Sequence, residues 1–405
     1  MDSRPRRVLL GITGGVAAYK AAELTRLLIK EGIDVRVVMT QSATRLITPA
    51  TLQALSGKPV HTELWDDVIE DGMGHIELSR DRSLIVVAPA TADFLAKLAC
   101  GFGDDLLSTL CLARECPLLV APAMNRQMWE NASTQRNVKQ LLADGVLVAG
   151  PAPGEQACGE VGMGRMLEPV DLVREIAASL QPKVLDGVRI LITAGPTFEP
   201  IDAVRGITNR SSGRMGYAVA QAALEAGAHV TLVSGPTELA APPQAQKIDV
   251  VTAQQMLDAV NAHVTDCDVF ISVAAVADYR PTQPSKQKLK KQDQALTLQL
   301  EPTVDILATV ASRAKPPFCV GFAAESHDLD RFAEDKRRRK KLPLLAANLA
   351  QNAIGAQDNE LVLFDDAGRH PLGKGPKLAQ ARALIQHLAR LYRNGPSVKL
   401  KAVRR

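Results

Sequence analysis

"RRVLLGITGG" at residues 6–15 and "VRILITAGPT" at residues 188–197 share one plan: a basic residue, an apolar run of strand-formers, then a glycine turn. An apolar run of this length, closed by turn residues, reads as a strand buried on both faces. After the first copy, "GVAAYKAAELTRLLIKEG" (15–32) changes to helical spacing: Ala17, Ala21, Leu24 and Leu28 share one face, and Gly32 suits the helix end. Strand, glycine turn and helix open a doubly wound sheet, and the chain opens one twice.

Working outward, "VRVVMT", "LIVVAPA", "PLLVAPA" and "GVLVAG" supply more strands in the first half. "HVTLVSGPT", "DVFISVAAVADYR", "LTLQL", "FCVGFAAES", "LPLLAANLA" and "LVLF" supply them in the second. Helical patterns lie between the strands, so both sheets are expected to be mainly parallel and covered on both faces. "QPKVLDG" (181–187) is polar and turn-prone and reads as the linker, while "VKLKAVRR" at the end reads as a loose basic tail. The expected architecture is α/β, with domains over 1–181 and 187–400. In open parallel sheets ligands sit beyond the carboxyl ends of the strands, so two small-molecule sites are expected.

With 405 residues, two or three domains are the prior. Aromatic residues make up only 3%, which argues against base-stacking platforms, and a net charge of +4 is too mild for a nucleic-acid binder. No apolar run reaches bilayer length and no signal segment is visible, so no membrane partner is expected. Six cysteines without a CxxC pair indicate neither a zinc site nor a redox motif, and free thiols fit a reducing cytoplasm.

In the first half, Gly14 and Gly15 let backbone N–H groups approach a phosphate at a helix start; a tight turn without a ligand explains them equally. Thr40, Ser42, Thr91 and Asp93 stand at other strand ends, and the hydroxyls there favour a phosphate-bearing cofactor. His75, in "DGMGHIELSR", reads by spacing as a surface or structural histidine. Asn125, in "APAMNRQMW", is suited either to capping a helix or to donating to a carboxylate. "ACGEVGMGRM" (157–166) places Cys158 in a glycine-rich stretch that is expected to form neither helix nor strand.

"PAMNRQMW" and "ACGEVGMGRM" resemble the flavin-dependent cysteine decarboxylases, specifically the phosphopantothenoylcysteine decarboxylases, and the likeness spans most of residues 5–180. The resemblance implies a flavodoxin-like domain binding FMN near Gly14, Gly15, Thr40 and Thr91. It also implies that Cys158 is a proton donor on a closing flap, His75 the catalytic histidine, and Asn125 the group that holds the substrate carboxylate. A β-thiol carboxylate loses carbon dioxide only when an electron sink is available, and a flavin supplies one.

In the second half, "ITAGPTFEPIDAVRGITNRSSGRMG" (192–216) is a long polar excursion with Asn209, Arg210, Ser211 and Ser212 placed to hold a phosphate. "KQKLKKQ" (286–292) and "EDKRRRKK" (334–341) concentrate positive charge. Such runs are usually solvated faces. However, Lys336 and Lys340 are four apart and share a helix face, and neither run shows obvious acidic partners.

These stretches, with "AAVADYRP" and "GFAAES", resemble the phosphopantothenate–cysteine ligases over most of residues 186–400, in the order found in bifunctional enzymes of coenzyme A biosynthesis. The resemblance implies a Rossmann-like domain binding CTP at Ser272, Val273, Ala274, Asp278, Lys288, Thr303, Val304, Asp305, Ile306, Phe322, Lys336 and Lys340. Asn209 would contact the acyl intermediate or substrate. Mg²⁺ would bridge the triphosphate, its protein ligands unspecified. The implied partners are 4′-phosphopantothenate, L-cysteine and CTP, together with further copies of the chain in a hexamer or dodecamer. The chain departs from the family pattern at Phe198, Ala203 and Gly206, where Arg, Pro and Phe are usual, at "TVDI" (303–306) for "NPDI", and at Ser326 for Thr. A flavin-binding scaffold without catalysis could dispense with His75 and Cys158, yet both are present.

Overall fold

The computed structural model describes residues 6–64, 78–156, 159–290, 296–349 and 358–394. The chain divides into two compact units, Met1–Gln181 and Pro182–Arg405.

The first unit runs β1 (Arg7–Ile12), a 3₁₀ turn (Val16–Tyr19), α1 (Lys20–Lys30), β2 (Asp34–Met39), α2 (Gln41–Thr44), α3 (Pro49–Ser56) and β3 (Val60–His61). It continues with β4 (Leu84–Ala90), α4 (Ala92–Cys100), α5 (Leu106–Leu112), β5 (Leu118–Pro122), α6 (Arg126–Glu130), α7 (Ala132–Ala143) and β6 (Leu147–Val148). A hairpin of β7 (Ala152–Glu155) and β8 (Val161–Arg165) precedes α8 (Pro169–Ser179). The six sheet strands are all parallel, in the order β3-β2-β1-β4-β5-β6. This is a doubly wound order whose switch point lies between β1 and β4.

Successive side chains of a strand point to opposite faces. Val8, Leu10 and Ile12 therefore pack under α1 and α8 with Leu24, Leu28, Leu172 and Ile176, while Leu9 packs under α4, α5 and α7 with Phe94, Leu107, Leu110 and Leu141. All of these are buried. Each contributes on the order of 2 kcal/mol by leaving water, so Leu24→Ala alone would cost about 3 kcal/mol.

The second unit repeats the plan: β9 (Arg189–Ala194), β10 (Phe198–Pro200), β11 (Gly206–Thr208), α9 (Arg214–Glu225), β12 (His229–Ser234), β13 (Gln246–Asp249), α10 (Ala253–His263) and β14 (Val269–Ser272). There follow β15 (Tyr279–Pro281), β16 (Leu300–Pro302), α11 (Ile306–Ala311), β17 (Phe318–Glu325), α12 (Leu329–Arg339), β18 (Leu344–Leu349), β19 (Asp358–Asp365), β20 (Gly368–Pro376) and α13 (Lys377–Asn394). Its sheet has the order β13-β12-β9-β14-β17-β18-β19-β20, parallel up to β18 and antiparallel beyond. Ile190 and Ile192 pack under α9 and α13, and Leu191 under α10, α11 and α12. The two mainly parallel, doubly wound sheets are the α/β class expected.

Two local expectations are corrected, and one strand was not anticipated. The stretch 157–166 contains a strand after all, because β8 pairs antiparallel with β7. Its Gly164, at φ +144°, lies where a Cβ would stand 2.4 Å from the Met124 carbonyl oxygen, so glycine here permits close approach rather than looseness. "LTLQL" does not add a sheet strand: only Leu300 enters β16, which pairs with β15 in a separate two-stranded ribbon. Finally, β20, "GRHPLGKGP", went unread because its glycines and prolines suggest turns; it is an edge strand, where proline is tolerated.

Candidate active sites

In the first unit the switch point is built around Thr13. Its hydroxyl donates to the Pro89 carbonyl (2.9 Å) and accepts from the Thr91 amide (3.1 Å), tying the ends of β1 and β4 together. At Gly14 a Cβ would stand 2.3 Å from the Ser42 Cβ, so the residue is needed for packing. At Gly15 the nearest atom is 3.4 Å away, so the packing alone leaves room for a methyl group. The N–H groups of Gly14, Val16 and Ala17 have no acceptor among the described residues.

Thr40, Thr91 and Asn125 each cap a helix: Thr40 accepts from Ala43 N, Thr91 from Phe94 N, and Asn125 from Met128 N (2.9 Å). Capping accounts for the acceptor side of all three. The amide nitrogen of Asn125 has no acceptor among the described residues and remains a donor.

His75 and Cys158 lie outside the described residues. The residues flanking Cys158 are fastened at several points. Gln156 N donates to the Glu160 carbonyl (2.8 Å) and Gly159 N to the Gln156 carbonyl (2.8 Å). The Gln156 side chain accepts from Arg126 N (2.8 Å) and donates to the Met163 carbonyl (3.2 Å). Gln127 Nε2 donates to Glu160 Oε1 (2.7 Å), and Met124 N donates to the Gly164 carbonyl (3.0 Å). The β7–β8 hairpin is thus bound to the segment that carries Asn125, which brings the two most distinctive motifs of the first half together. Gln156 and Gln127 were missed from sequence, since a glutamine beside a glycine-rich stretch carries no signal by itself.

In the second unit a cavity of about 190 Å³ opens at the carboxyl edge of the sheet. It is lined by Ser272, Ala274, Asp278, Thr303, Val304, Asp305, Ile306, Phe322, Lys336 and Lys340, joined by Val276 and Leu307, which were not anticipated. Val273 and Lys288 are not among its lining residues. Alternation explains Val273: Ser272, Ala274 and Val276 face the cavity, whereas Val273 packs against the opposite core. Lys288 is exposed on a loop. Asn209 stands at the switch point, its Nδ2 donating to the Ala275 carbonyl (2.8 Å).

The cavity's cations come from the end of α12, and its carboxylates are Asp305, which caps α11, and Asp278, just before β15. Lys336 Nζ donates to the Phe322 carbonyl (3.0 Å), and Lys340 Nζ meets Asp305 Oδ2 at 2.5 Å. Burial, reinforced by the neighbouring Lys340 charge, pulls the Lys336 amine below its ordinary range. Burial pushes the Asp305 carboxyl up, but hydrogen bonds from Lys340 and the Ala308 amide outweigh it, and the carboxyl titrates below its usual value. The basic run does have acidic partners, contrary to expectation. Glu334 pairs with Arg337 and Arg338, Asp366 with Arg337, and Asp305 with Lys340. Asp305 and Asp366 are distant in sequence, which hid them.

A Flavoprotein family model matches residues 1–181, and a model of the DNA/pantothenate metabolism flavoprotein C-terminal domain matches residues 185–392. The Coenzyme A biosynthesis bifunctional protein CoaBC of Vibrio vulnificus (strain YJ016) is 50% identical over 392 residues, 95% of this chain and 98% of that protein. The chain belongs to the CoaBC family. The CoaBC proteins of Escherichia coli (strain K12) and Bacillus subtilis (strain 168) are 46% identical over 400 residues and 41% over 394; they cover 97% and 95% of this chain, with 98% and 97% of their own lengths matched. A crystal structure of the C-terminal domain of a CoaBC protein is 38% identical, covering 53% of this chain and 100% of its own, at a TM-score of 0.46. As a CoaBC family member the chain is a bifunctional enzyme of coenzyme A biosynthesis with a flavoprotein domain. No helix among the described residues is long and apolar enough to cross a membrane.

Proposed function

We propose that residues 1–181 are an FMN-dependent phosphopantothenoylcysteine decarboxylase and residues 187–400 a CTP-dependent phosphopantothenate–cysteine ligase. The observation that carries the reading is the cavity of the second unit, where all the residues assigned to CTP except Val273 and Lys288 converge on one space.

In the ligase, the carboxylate of 4′-phosphopantothenate attacks the α-phosphorus of CTP and pyrophosphate leaves, giving an acyl cytidylate. The amine of L-cysteine then attacks the acyl carbon, loses a proton, and expels CMP as the amide forms. Lys336 and Lys340 meet the phosphate charge, and Mg²⁺ would supply further neutralisation of it. Asp305 holds Lys340 until the nucleotide competes for it. Asn209 contacts the acyl intermediate or the substrate, a role that its position beside Ala275 at the switch point supports.

In the decarboxylase, the free N–H groups at Gly14, Val16 and Ala17 suit a phosphate, with Thr40 and Thr91 hydroxyls near the same strand ends. Gly14, Gly15, Thr40 and Thr91 would hold FMN, and the group would supply reversible hydride exchange, so that decarboxylation gains an electron sink without net oxidation. Asn125 donates to the substrate carboxylate. Cys158 supplies the proton to the enethiolate, and His75 is the catalytic histidine. We place the enzyme in the cytoplasm as a homo-oligomer, a hexamer or dodecamer, which a monomer by light scattering would refute.

The test is mass spectrometry of products after incubation with 4′-phosphopantothenate, L-cysteine, CTP and Mg²⁺. 4′-Phosphopantetheine is the expected product. Phosphopantothenoylcysteine alone would remove the decarboxylase half of the proposal, and unconsumed CTP would remove the ligase half.

A further inference from the structure

Asp202 sits in the turn between β10 and β11 with a fully buried side chain. Its carboxylate accepts the amides of Val204 (2.8 Å) and Arg205 (2.8 Å), and takes Nε (3.0 Å) and Nη2 (2.6 Å) of the Arg205 guanidinium. Those bonds shape the turn itself. A fifth reaches far along the chain: the amide of Leu289 donates to Asp202 Oδ2 at 3.1 Å. Arg205 Nη2 in turn donates to the Leu289 carbonyl at 2.8 Å. Both backbone groups of Leu289 are therefore held by one ion pair. Four residues earlier, Ser285 N donates to the Ile201 carbonyl (3.0 Å), and the Ser285 hydroxyl bonds the Gln287 amide and carbonyl.

The loop 285–289 is thus pinned at both ends to the β10–β11 turn, and the residues between the pins include Lys286 and Lys288. Both lysines are exposed, and neither forms an ion pair with any of the described residues. A flexible lysine gains little from an anion unless its backbone is held, because ordering it costs conformational entropy. We propose that Asp202 is a positioning residue of the ligase. Through Arg205 and the backbone of Leu289 it holds Lys288 where it meets the nucleotide's phosphates, making the lysine loop and the β10–β11 turn one body. This rests on the reading of Lys288 as a nucleotide contact.

The experiment is steady-state ligase kinetics of the full chain, with CTP and L-cysteine varied separately, for Asp202→Asn, Lys288→Gln and the double variant. The expected result is a roughly tenfold higher KM for CTP in each single variant, an unchanged KM for cysteine, and no further rise in the double variant. A merely structural role would lower the active fraction without moving KM for CTP alone. Additive effects in the double variant, or an unchanged KM for CTP in Asp202→Asn beside a raised one in Lys288→Gln, would overturn the proposal. An unchanged KM in Lys288→Gln would instead sink the nucleotide reading of that lysine, and the proposal with it. Should Asp202→Asn fail to fold, Arg205→Lys replaces it. That side chain is half exposed, and a lysine keeps the charge on Asp202 but cannot span both it and the Leu289 carbonyl.

Discussion

The two glycine turns that opened the sequence reading do different things with nearly the same letters. After β1 the chain enters a 3₁₀ turn within four residues and then α1, so the turn lies directly against the switch point. After β9 it detours through the β10–β11 hairpin and reaches α9 only at Arg214. The first turn keeps space, since a Cβ at Gly15 would meet nothing nearer than 3.4 Å. The second is closed by the backbone of a neighbouring turn: a Cβ at Gly235, just after β12, would stand 1.7 Å from the Pro196 carbonyl oxygen. One turn leaves room beside its second glycine, and the other is filled by packing.

The largest expected effect tests that contrast directly. Gly235→Ala should cost about 3 kcal/mol or more, lowering the melting temperature of the second unit by roughly 10 °C, because the obstacle is backbone. Gly15→Ala should leave the melting curve of the apoprotein within about a degree while weakening flavin retention on gel filtration. Equal destabilisation by the two would break the comparison.

A smaller effect sharpens it within the detour. The Phe198 ring lies 2.3 Å from where a Cβ of Gly206 would stand, so the ring fills the space that a side chain at 206 would take. Gly206→Phe should destabilise by about 2 kcal/mol in chemical denaturation, and Phe198→Arg in the same chain should recover most of it. Independent, additive losses would show that the ring is not the obstacle.

The cavity's lysine offers a pH test. The half-buried Lys336 amine titrates below its ordinary range in the free protein, because burial and the neighbouring Lys340 charge disfavour its charged form. Bound phosphates favour its charged form, so binding takes up a proton and affinity for CTP must fall as pH rises through the depressed value. For the free fold the sign is opposite: the unfolded chain holds that proton longer, so this lysine adds stability as pH climbs towards 10.5. Lys336→Arg should flatten the alkaline limb of CTP binding measured by calorimetry, and an unaltered limb would exclude Lys336 as its source. At the small end, Arg338→Ala should change stability by less than about 0.5 kcal/mol in urea, because its pair with Glu334 is largely exposed. A loss well above that figure would mean the pair with Glu334 supports Arg337 and the cavity helix.

Much of this was legible from patterns of period two and 3.6. The alternation of Val8, Leu10 and Ile12 against Leu9 is written in one short strand, and the restart at residue 188 announced the second sheet. Most of the residues that the resemblance assigned to CTP line one cavity. What stayed hidden depended on contacts distant in sequence. Asp305 under Lys340 and Asp366 beside Arg337 cannot be paired by spacing, nor can Asp202 be joined to Leu289. The hairpin around residues 152–165 was misread because glycine was taken as a sign of looseness, when at Gly164 it admits the Met124 carbonyl.

The Phe198–Gly206 contact also couples two positions on facing strands of one hairpin. A Cβ at Gly206 would stand 2.3 Å from the Phe198 ring and 2.7 Å from the Glu199 carbonyl oxygen. A ring can enter at 206 only after the one at 198 has been thinned, because the reverse order puts two rings in one space. Exchange at this pair therefore works as a ratchet, first at 198 and only then at 206, and neither position can be redesigned alone.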